Sequence, residues 1–283
     1  MQIDPFFQVP RRTVETASGP VEVPVLYKEG DYSMALFCTH RHRVQALLRH
    51  TGLQPAMTFG NYAIVSLVMA KFTHCSESNY SIAALAVPVS RSQGFQPVSP
   101  WRELFSRADQ RHMGFYLVNC PTDNLRMMDI GREVWGHPKC PANIDLELES
   151  SGLQCQVQCM QTQQPLFEFA GWGPRIWKMQ PLGFNMFSIL NDQMIRAILE
   201  IRSPFSVHLP FGFRLKLNTT DHPITRPMRK LGLDGKRPLV VISTNLFQGR
   251  FNEGVVVEDL NQLPLTGSAA SAASPRHHDR LRA

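Results

Sequence analysis

Lys139 sits in an unusual setting, at the end of the stretch Gly131-Arg132-Glu133-Val134-Trp135-Gly136-His137-Pro138-Lys139. The chain holds seven lysines against twenty-two arginines, so each lysine is worth asking about. Pro138 fixes its own φ and biases His137 toward an extended conformation. Val134 and Trp135 supply apolar bulk, and Gly136 lets the backbone turn closely. A free lysine titrates near about 10.4 and is protonated at neutral pH, so it cannot attack a carbonyl. Burial in apolar surroundings disfavours the ammonium and lowers that pKa. An amine tuned in this way forms a Schiff base with a ketone, and the protonated imine is an electron sink for breaking a neighbouring bond. The same residues also fit a surface lysine whose stem lies along apolar surface.

The neighbours of Lys139 offer further chemistry. His137, two residues away, would share its face in a strand and could act as acid or base near about pH 6.5; a partly exposed histidine is the alternative. Tyr80 and Tyr116 are candidate proton donors or, equally, core tyrosines. Arg132 and Glu133 can pair with each other or with the backbone, and read more as scaffolding than as chemistry. No metal-ligand spacing is present: the six cysteines, Cys38, Cys75, Cys120, Cys140, Cys155 and Cys159, form no CxxC, and the ten histidines form no HExxH. There is no Rossmann glycine fingerprint or P-loop, so neither cofactor nor metal is expected.

The elements that would position these groups are mostly strands. Val21–Leu26, Tyr32–Cys38, Tyr62–Ala70, Tyr80–Val87 (ended by Pro88) and Gly114–Asn119 read as extended. Asn143–Glu149 and Leu153–Met160 alternate across Ser150-Ser151-Gly152, as a hairpin does. Further strands are expected at 166–170, 205–209, 213–217, 239–244 and 254–258. Val44, Leu47 and Leu48 have helical spacing, with Thr39 as a possible cap and Gly52 beyond the end. Short helices are also expected at 101–107 and 126–135. Many strands and few helices predict a mainly β fold, a closed or nearly closed antiparallel sheet with flanking helices. No repeat or linker divides the chain, so residues 1–265 are expected to form one domain. Residues 266–283, beginning Thr266-Gly267-Ser268-Ala269-Ala270, are low in complexity and predict a disordered basic tail.

Composition excludes several classes. No apolar run approaches the roughly 18–20 residues of a membrane helix, and Met1–Arg12 has no apolar core of a leader, so a cytoplasmic protein with no membrane partner is expected. The net charge of +6 comes partly from Arg276, Arg280 and Arg282 in the tail. Apart from His40-Arg41-His42-Arg43, the basic residues are scattered, so no nucleic-acid partner is expected.

The spacing Asp123-Asn124, six residues, Gly131-Arg132-Glu133, four residues, Pro138-Lys139 resembles the signature of the acetoacetate decarboxylase family, which continues with a second lysine. A weaker likeness runs from residue 20 to 260. The resemblance implies a cone-shaped β-barrel with flanking helices, often assembled into homo-oligomers, with Lys139 at the place of the Schiff-base lysine. Acetoacetate decarboxylase is itself a standard example of a lysine activated by desolvation or a neighbouring cation. The chain departs from the family at several points. Cys140 replaces the second lysine, Ile82 and Leu67 fall at the family's glutamate positions, and Gly30 falls at an arginine position. These two apolar residues are therefore expected to line the pocket, which would accept a larger or less charged carbonyl compound more readily than acetoacetate. Four functions follow: a lyase that decarboxylates a β-keto acid through an imine on Lys139, an aldolase-dehydratase or cyclase using the same imine, a non-catalytic barrel for an apolar small molecule, or, last and resting only on the basic tail, a structural or interaction protein.

Overall fold

The computed structural model describes residues 4–92, 99–104 and 106–257. The tail expected at 266–283 lies outside the described residues. A small antiparallel pair, β1 (Arg12–Val14) and β2 (Val21–Val23), leads into the long β3 (Val25–His40). Helix α1 (Arg41–Leu47), β4 (Leu53–Pro55) and β5 (Thr58–Phe59) connect it to β6 (Tyr62–Cys75) and β7 (Tyr80–Arg91). Next come α2 (Pro100–Leu104), β8 (Gly114–Thr122), α3 (Leu125–Trp135), β9 (Lys139–Leu148), β10 (Gly152–Cys159) and β11 (Pro165–Trp172). The remainder is β12 (Arg175–Met179), β13 (Phe184–Leu190), β14 (Gln193–Ile201), β15 (Phe205–His208), β16 (Arg214–Leu217), α4 (Arg226–Lys230), β17 (Val240–Thr244), β18 (Gly249–Phe251) and β19 (Val255–Val256). No described helix is long and apolar enough to cross a membrane.

The mainly β barrel with flanking helices is as expected. The closed ring runs β3–β6–β7–β8–β13–β14–β18 and back to β3. It is not wholly antiparallel, because β8 pairs in parallel with β13 and also with β9. Through β9 the sheet continues as β9–β10–β11–β16, with the expected 143–160 hairpin at its centre. Barrel and outer sheet give the molecule two cores. Val68, Ala70, Phe72, Ala84, Ala86 and Phe115 belong to the inner core. Leu67, Met69, Ala83, Leu85 and Val87 belong to the outer one, with Leu146, Val157, Phe169 and Leu215 of the outer sheet. Successive strand residues point to opposite faces, so β6 and β7 must be apolar on both.

That double burial decides one site residue against the sequence reading. Leu67 is fully buried in the outer core, and Val68 takes the place on the barrel interior. A shift of one residue exchanges the faces of a strand. Gly30 has a different explanation. The pairing of β3 with β6 slips between Tyr27 and Gly30, and a Cβ at Gly30 would lie 2.6 Å from the Lys71 carbonyl oxygen. The slip reverses the alternation, so Tyr27 and Tyr32, an odd number apart, both face inward.

Other expectations shift locally. β7 continues through Pro88, whose carbonyl accepts from Ala56 N–H at 2.9 Å. Thr39 does not cap α1; its hydroxyl donates to the Leu231 carbonyl, and His40 is the capping position. Strands β12, β13, β14 and β18 had no counterpart in the sequence reading, although three of them close the barrel.

The two-sided packing of β6 predicts unequal costs for adjacent truncations. Leu67→Ala should lower the unfolding free energy by about 2–5 kcal/mol in urea titrations. Val68→Ala, which removes atoms already facing open space, should cost clearly less.

Candidate active site

The segment that carries Lys139 is fixed at both ends. Asn124 caps α3, accepting from Met127 N–H at 3.0 Å, while Asp123 accepts from Ser81 N–H at 2.7 Å and ties the helix start to β7. The buried face of α3 is Met127, Ile130, Gly131, Val134 and Trp135, a helical stripe turned to the barrel. Gly136 ends the helix in the left-handed region at φ 63°, and a Cβ there would lie 2.7 Å from the Ile189 carbonyl oxygen. Arg132 Nε donates to the Lys139 carbonyl at 2.8 Å, and the Pro138 carbonyl accepts from Cys120 N–H at 3.1 Å. Lys139 then opens β9 directly beside Cys120 of β8.

The lysine side chain enters the barrel across Gly131. A Cβ on Gly131 would lie 2.6 Å from Lys139 Cε, so a larger residue there would push the end of the lysine side chain aside. Lys139 is 5% exposed. Its Nζ donates to the Met127 carbonyl at 2.8 Å and lies 4.6 Å from the centre of the Tyr80 ring. An ammonium would present three donors to this one carbonyl. Burial pushes the pKa of Lys139 down; the nearby Cys120 and Cys75 thiols and Asp123 act weakly the other way.

Nζ faces a cavity of about 80 Å³ inside the barrel, several times the roughly 10–15 Å³ that one water requires. Ala84 and Ala86 on β7 leave the space that larger residues would fill. Val68, Ile82, Leu117 and Phe184 make apolar walls, and among the described residues no carboxylate or guanidinium is on the lining. The polar groups are Lys139, His137, Tyr27, Tyr32, Tyr80 and the Cys120 thiol. The Tyr27 and Tyr80 hydroxyls hydrogen-bond each other at 2.9 Å, and burial raises the pKa of both. Burial likewise pushes Cys120 up to about 11. His137 lies beside the stacked rings of Trp135 and Phe251, at 6.1 and 5.6 Å. Desolvation, with the charge of Lys139 as a second cause, lowers its pKa to about 3, so it is neutral at physiological pH.

Of the residues singled out from the sequence, Lys139, His137, Tyr80 and Ile82 therefore meet in one cavity. Four others do not. Tyr116 packs against the outer core, because alternation along β8 sends Phe115 and Leu117 inward. Arg132 and Glu133 are exposed and take backbone partners, Glu133 accepting from Ala17 N–H at 2.9 Å. Leu67 is on the outer face, as is Cys140, the position after the lysine. Sequence reading missed Tyr27, Tyr32, Cys120 and Val68. Strand alternation carried inward from Tyr80 and Ile82 would have found Ala84 and Ala86, but bulges hide the parity of the others.

The family described as Acetoacetate decarboxylase (ADC) matches the chain over residues 9–176. No curated protein matches the sequence. Among solved structures, an acetoacetate decarboxylase from Legionella pneumophila is 16% identical with a TM-score of 0.58, covering 91% of this chain and 95% of that one. The enduracididine biosynthesis enzyme MppR, complexed with the condensation product of pyruvate and imidazole 4-carboxaldehyde, is 12% identical with a TM-score of 0.54, covering 82% and 88%. An acetoacetate decarboxylase-like enzyme from Sphingomonas wittichii is 11% identical with a TM-score of 0.52, covering 84% and 94%. At these identities the likeness to the structures is one of fold.

Two results should follow from this geometry. Alanine normally favours a helix over glycine by about 1 kcal/mol; Gly131→Ala should fall short of that gain in urea titrations because it displaces the end of Lys139, and Gly131→Ala made in a Lys139→Ala background should recover it. Between about pH 6.5 and pH 3 the unfolded chain binds a proton at His137 that the folded chain refuses. Stability should therefore fall on acidification across that window, by up to about 1.4 kcal/mol per pH unit from this group. His137→Phe should remove that component of the slope.

Proposed function

The chain belongs to the acetoacetate decarboxylase family, and from that premise we propose that it is a Schiff-base-forming lyase that decarboxylates a β-keto acid through an imine on Lys139. The observation that carries this reading is the burial of the Lys139 amine in an apolar cavity, with one carbonyl as its hydrogen-bond acceptor. A neutral amine has a lone pair for attack, and the cavity supplies desolvation in place of the second cation that Cys140 cannot provide.

The reaction proceeds in balanced steps. Nζ attacks the ketone carbon, and the carbonyl π electrons move to oxygen. Proton transfer and loss of water leave the iminium. The bond to the carboxylate then breaks, its electrons pass into the iminium to give a neutral enamine, and carbon dioxide departs. A proton adds to the enamine carbon, and water hydrolyses the resulting imine to free the ketone and Lys139. The decarboxylating step turns a cation–anion pair into two neutral species, a change that a medium of low polarity favours over the charged ground state. The Tyr27–Tyr80 hydroxyl pair is a protic group in the same cavity as the lysine. With Ile82 and Val68 on the wall, the rest of the substrate is apolar.

A second reading keeps the imine and changes its use, to carbon–carbon bond formation or water loss. What favours it is the fold shared with MppR, whose complex holds a condensation product of pyruvate and an aldehyde, together with a lining that carries no carboxylate among the described residues.

Borohydride reduction in the presence of acetoacetate or pyruvate, followed by peptide mass spectrometry, should place an adduct on Lys139. It should vanish in Lys139→Ala and in Lys139→Arg, which keeps the charge. Carbon dioxide release separates the two readings. A folded protein that yields no adduct with either compound, nor with a bulkier uncharged ketone, would overturn the imine reading and leave a barrel for an apolar molecule.

A further inference from the structure

We propose that Tyr32 is a specificity-determining residue, whose hydroxyl donates a hydrogen bond to the carboxylate of the β-keto acid from the barrel wall opposite Lys139. The inference deepens the lyase reading above and rests on it in placing the reacting carbonyl at Lys139.

Tyr32 is 3% exposed and lines the cavity. Aromatic neighbours hold its ring, Phe184 and Phe247 stacked at 6.4 and 5.3 Å and Phe205 edge-on at 5.7 Å. Its hydroxyl has no hydrogen-bond partner among the described residues, and burial alone raises its pKa. The unpartnered side-chain atoms that are sealed inside the protein are Thr122 Oγ1, His137 Nε2, Arg196 Nε and Arg229 Nε, again among the described residues. The Tyr32 oxygen is not one of them, so it keeps accessible surface. In a cavity-lining residue this deeply buried, that surface is the cavity's.

Strand order places this hydroxyl across from the amine. Round the ring, β3 reaches β8 in three steps through β6 and β7, and in four through β18, β14 and β13. Lys139 lies directly beside Cys120 of β8. The other polar groups of the lining are placed differently. One of the Tyr27 and Tyr80 hydroxyls donates to the other, and Tyr80, with its ring centre 4.6 Å from Nζ, keeps that pair near the reacting carbonyl. The Cys120 thiol is a weak donor, and His137 Nε2 is sealed.

A carboxylate accepts and cannot donate, so an O–H donor is what it requires. It needs no cation on the wall, because the iminium formed at Lys139 is a counter-charge within the same molecule. A hydrogen bond to a charged acceptor is also stronger than one to a neutral group. The bond serves the charged state only. As carbon dioxide departs the negative charge passes into the enamine, so Tyr32 holds the bound substrate more tightly than the transition state. The substrate class is thus a β-keto acid with an apolar body, its carboxylate directed to β3.

Levulinate is a keto acid that keeps its carboxylate, and isoamyl methyl ketone has the same shape with an isopropyl group in that place. Ligand-observed NMR on the full chain gives a dissociation constant for each. In Tyr32→Phe their ratio should shift against levulinate by about tenfold. An unchanged ratio, which is what a packing role would give, overturns the proposal. With acetoacetate the same variant should raise KM by about tenfold and leave kcat unchanged or higher. A fall in kcat at unchanged KM overturns it. If Tyr32→Phe does not fold, nuclear Overhauser contacts in the wild type decide. The levulinate methylene next to the carboxylate must then lie nearer the Tyr32 ring than the methyl group does, and the reverse order overturns the proposal. Carbon dioxide release and borohydride trapping at Lys139 report separately on the chemistry. A shifted ratio without either upholds the carboxylate site while defeating the reading it deepens.

Discussion

An amine buried in an apolar barrel is the constraint on which the rest of this structure depends. Among the described residues no carboxylate lines the cavity beside Lys139, and one carbonyl, that of Met127, accepts a hydrogen bond from its amine. The protein must therefore fix the side chain by shape. Gly131 clears the path of the stem, Gly136 turns the chain back toward the barrel, and the Arg132 guanidinium holds the Lys139 backbone from outside. Asp123 and Asn124 set where the helix begins, and so where that glycine falls. Each conserves the position of one nitrogen atom without touching the cavity chemistry, a division between positioning and reacting groups that runs through the whole segment.

The cavity itself is a product of the double-walled architecture. With an outer sheet packed on its back, the barrel wall at β6 and β7 can keep large residues on the far side and small ones within. Leu67, Met69 and Leu85 fill the outer core, while Ala70, Ala84 and Ala86 face inward. The outer core supplies packing that the open interior does not, so the space around Lys139 need not be filled for the fold to hold. Two pairing irregularities then choose which polar groups face that space. The slip at Gly30 brings Tyr27 in alongside Tyr32, and the one between Leu85 and Ala86 brings Cys120 in on the same strand as Phe115 and Leu117.

The lysine, its motif and the 143–160 hairpin were legible in the sequence, because each rests on local chemistry: a proline, glycines, a helix cap and a tight turn between alternating strands. Facing was not legible where both faces of a strand are apolar. Alternation carries information only when one face meets water, so nothing in Leu67-Val68 told inside from outside, and Tyr116 was open to the same error. Strands β13 and β14 escaped because the buried polar residues Asn185, Ser188 and Arg196 interrupt an apolar pattern, Asn185 donating to the Arg111 carbonyl, Ser188 to the Trp135 carbonyl and Arg196 to that of Ala108. Those bonds are tertiary, and a single sequence gives no sign of them. The burial of His137 was hidden for the same reason, since its neighbour Phe251 comes from the far end of the chain.

Burial favours the uncharged form of the Lys139 amine, and its ionisation can be read directly. With the seven lysines labelled with carbon-13 at Cε, an NMR titration follows each amine, and Lys139→Arg identifies one resonance by its loss. This resonance should titrate below the ordinary lysine value of about 10.4. A Lys139 signal that titrates at that value or above it would show that burial does not favour the uncharged amine.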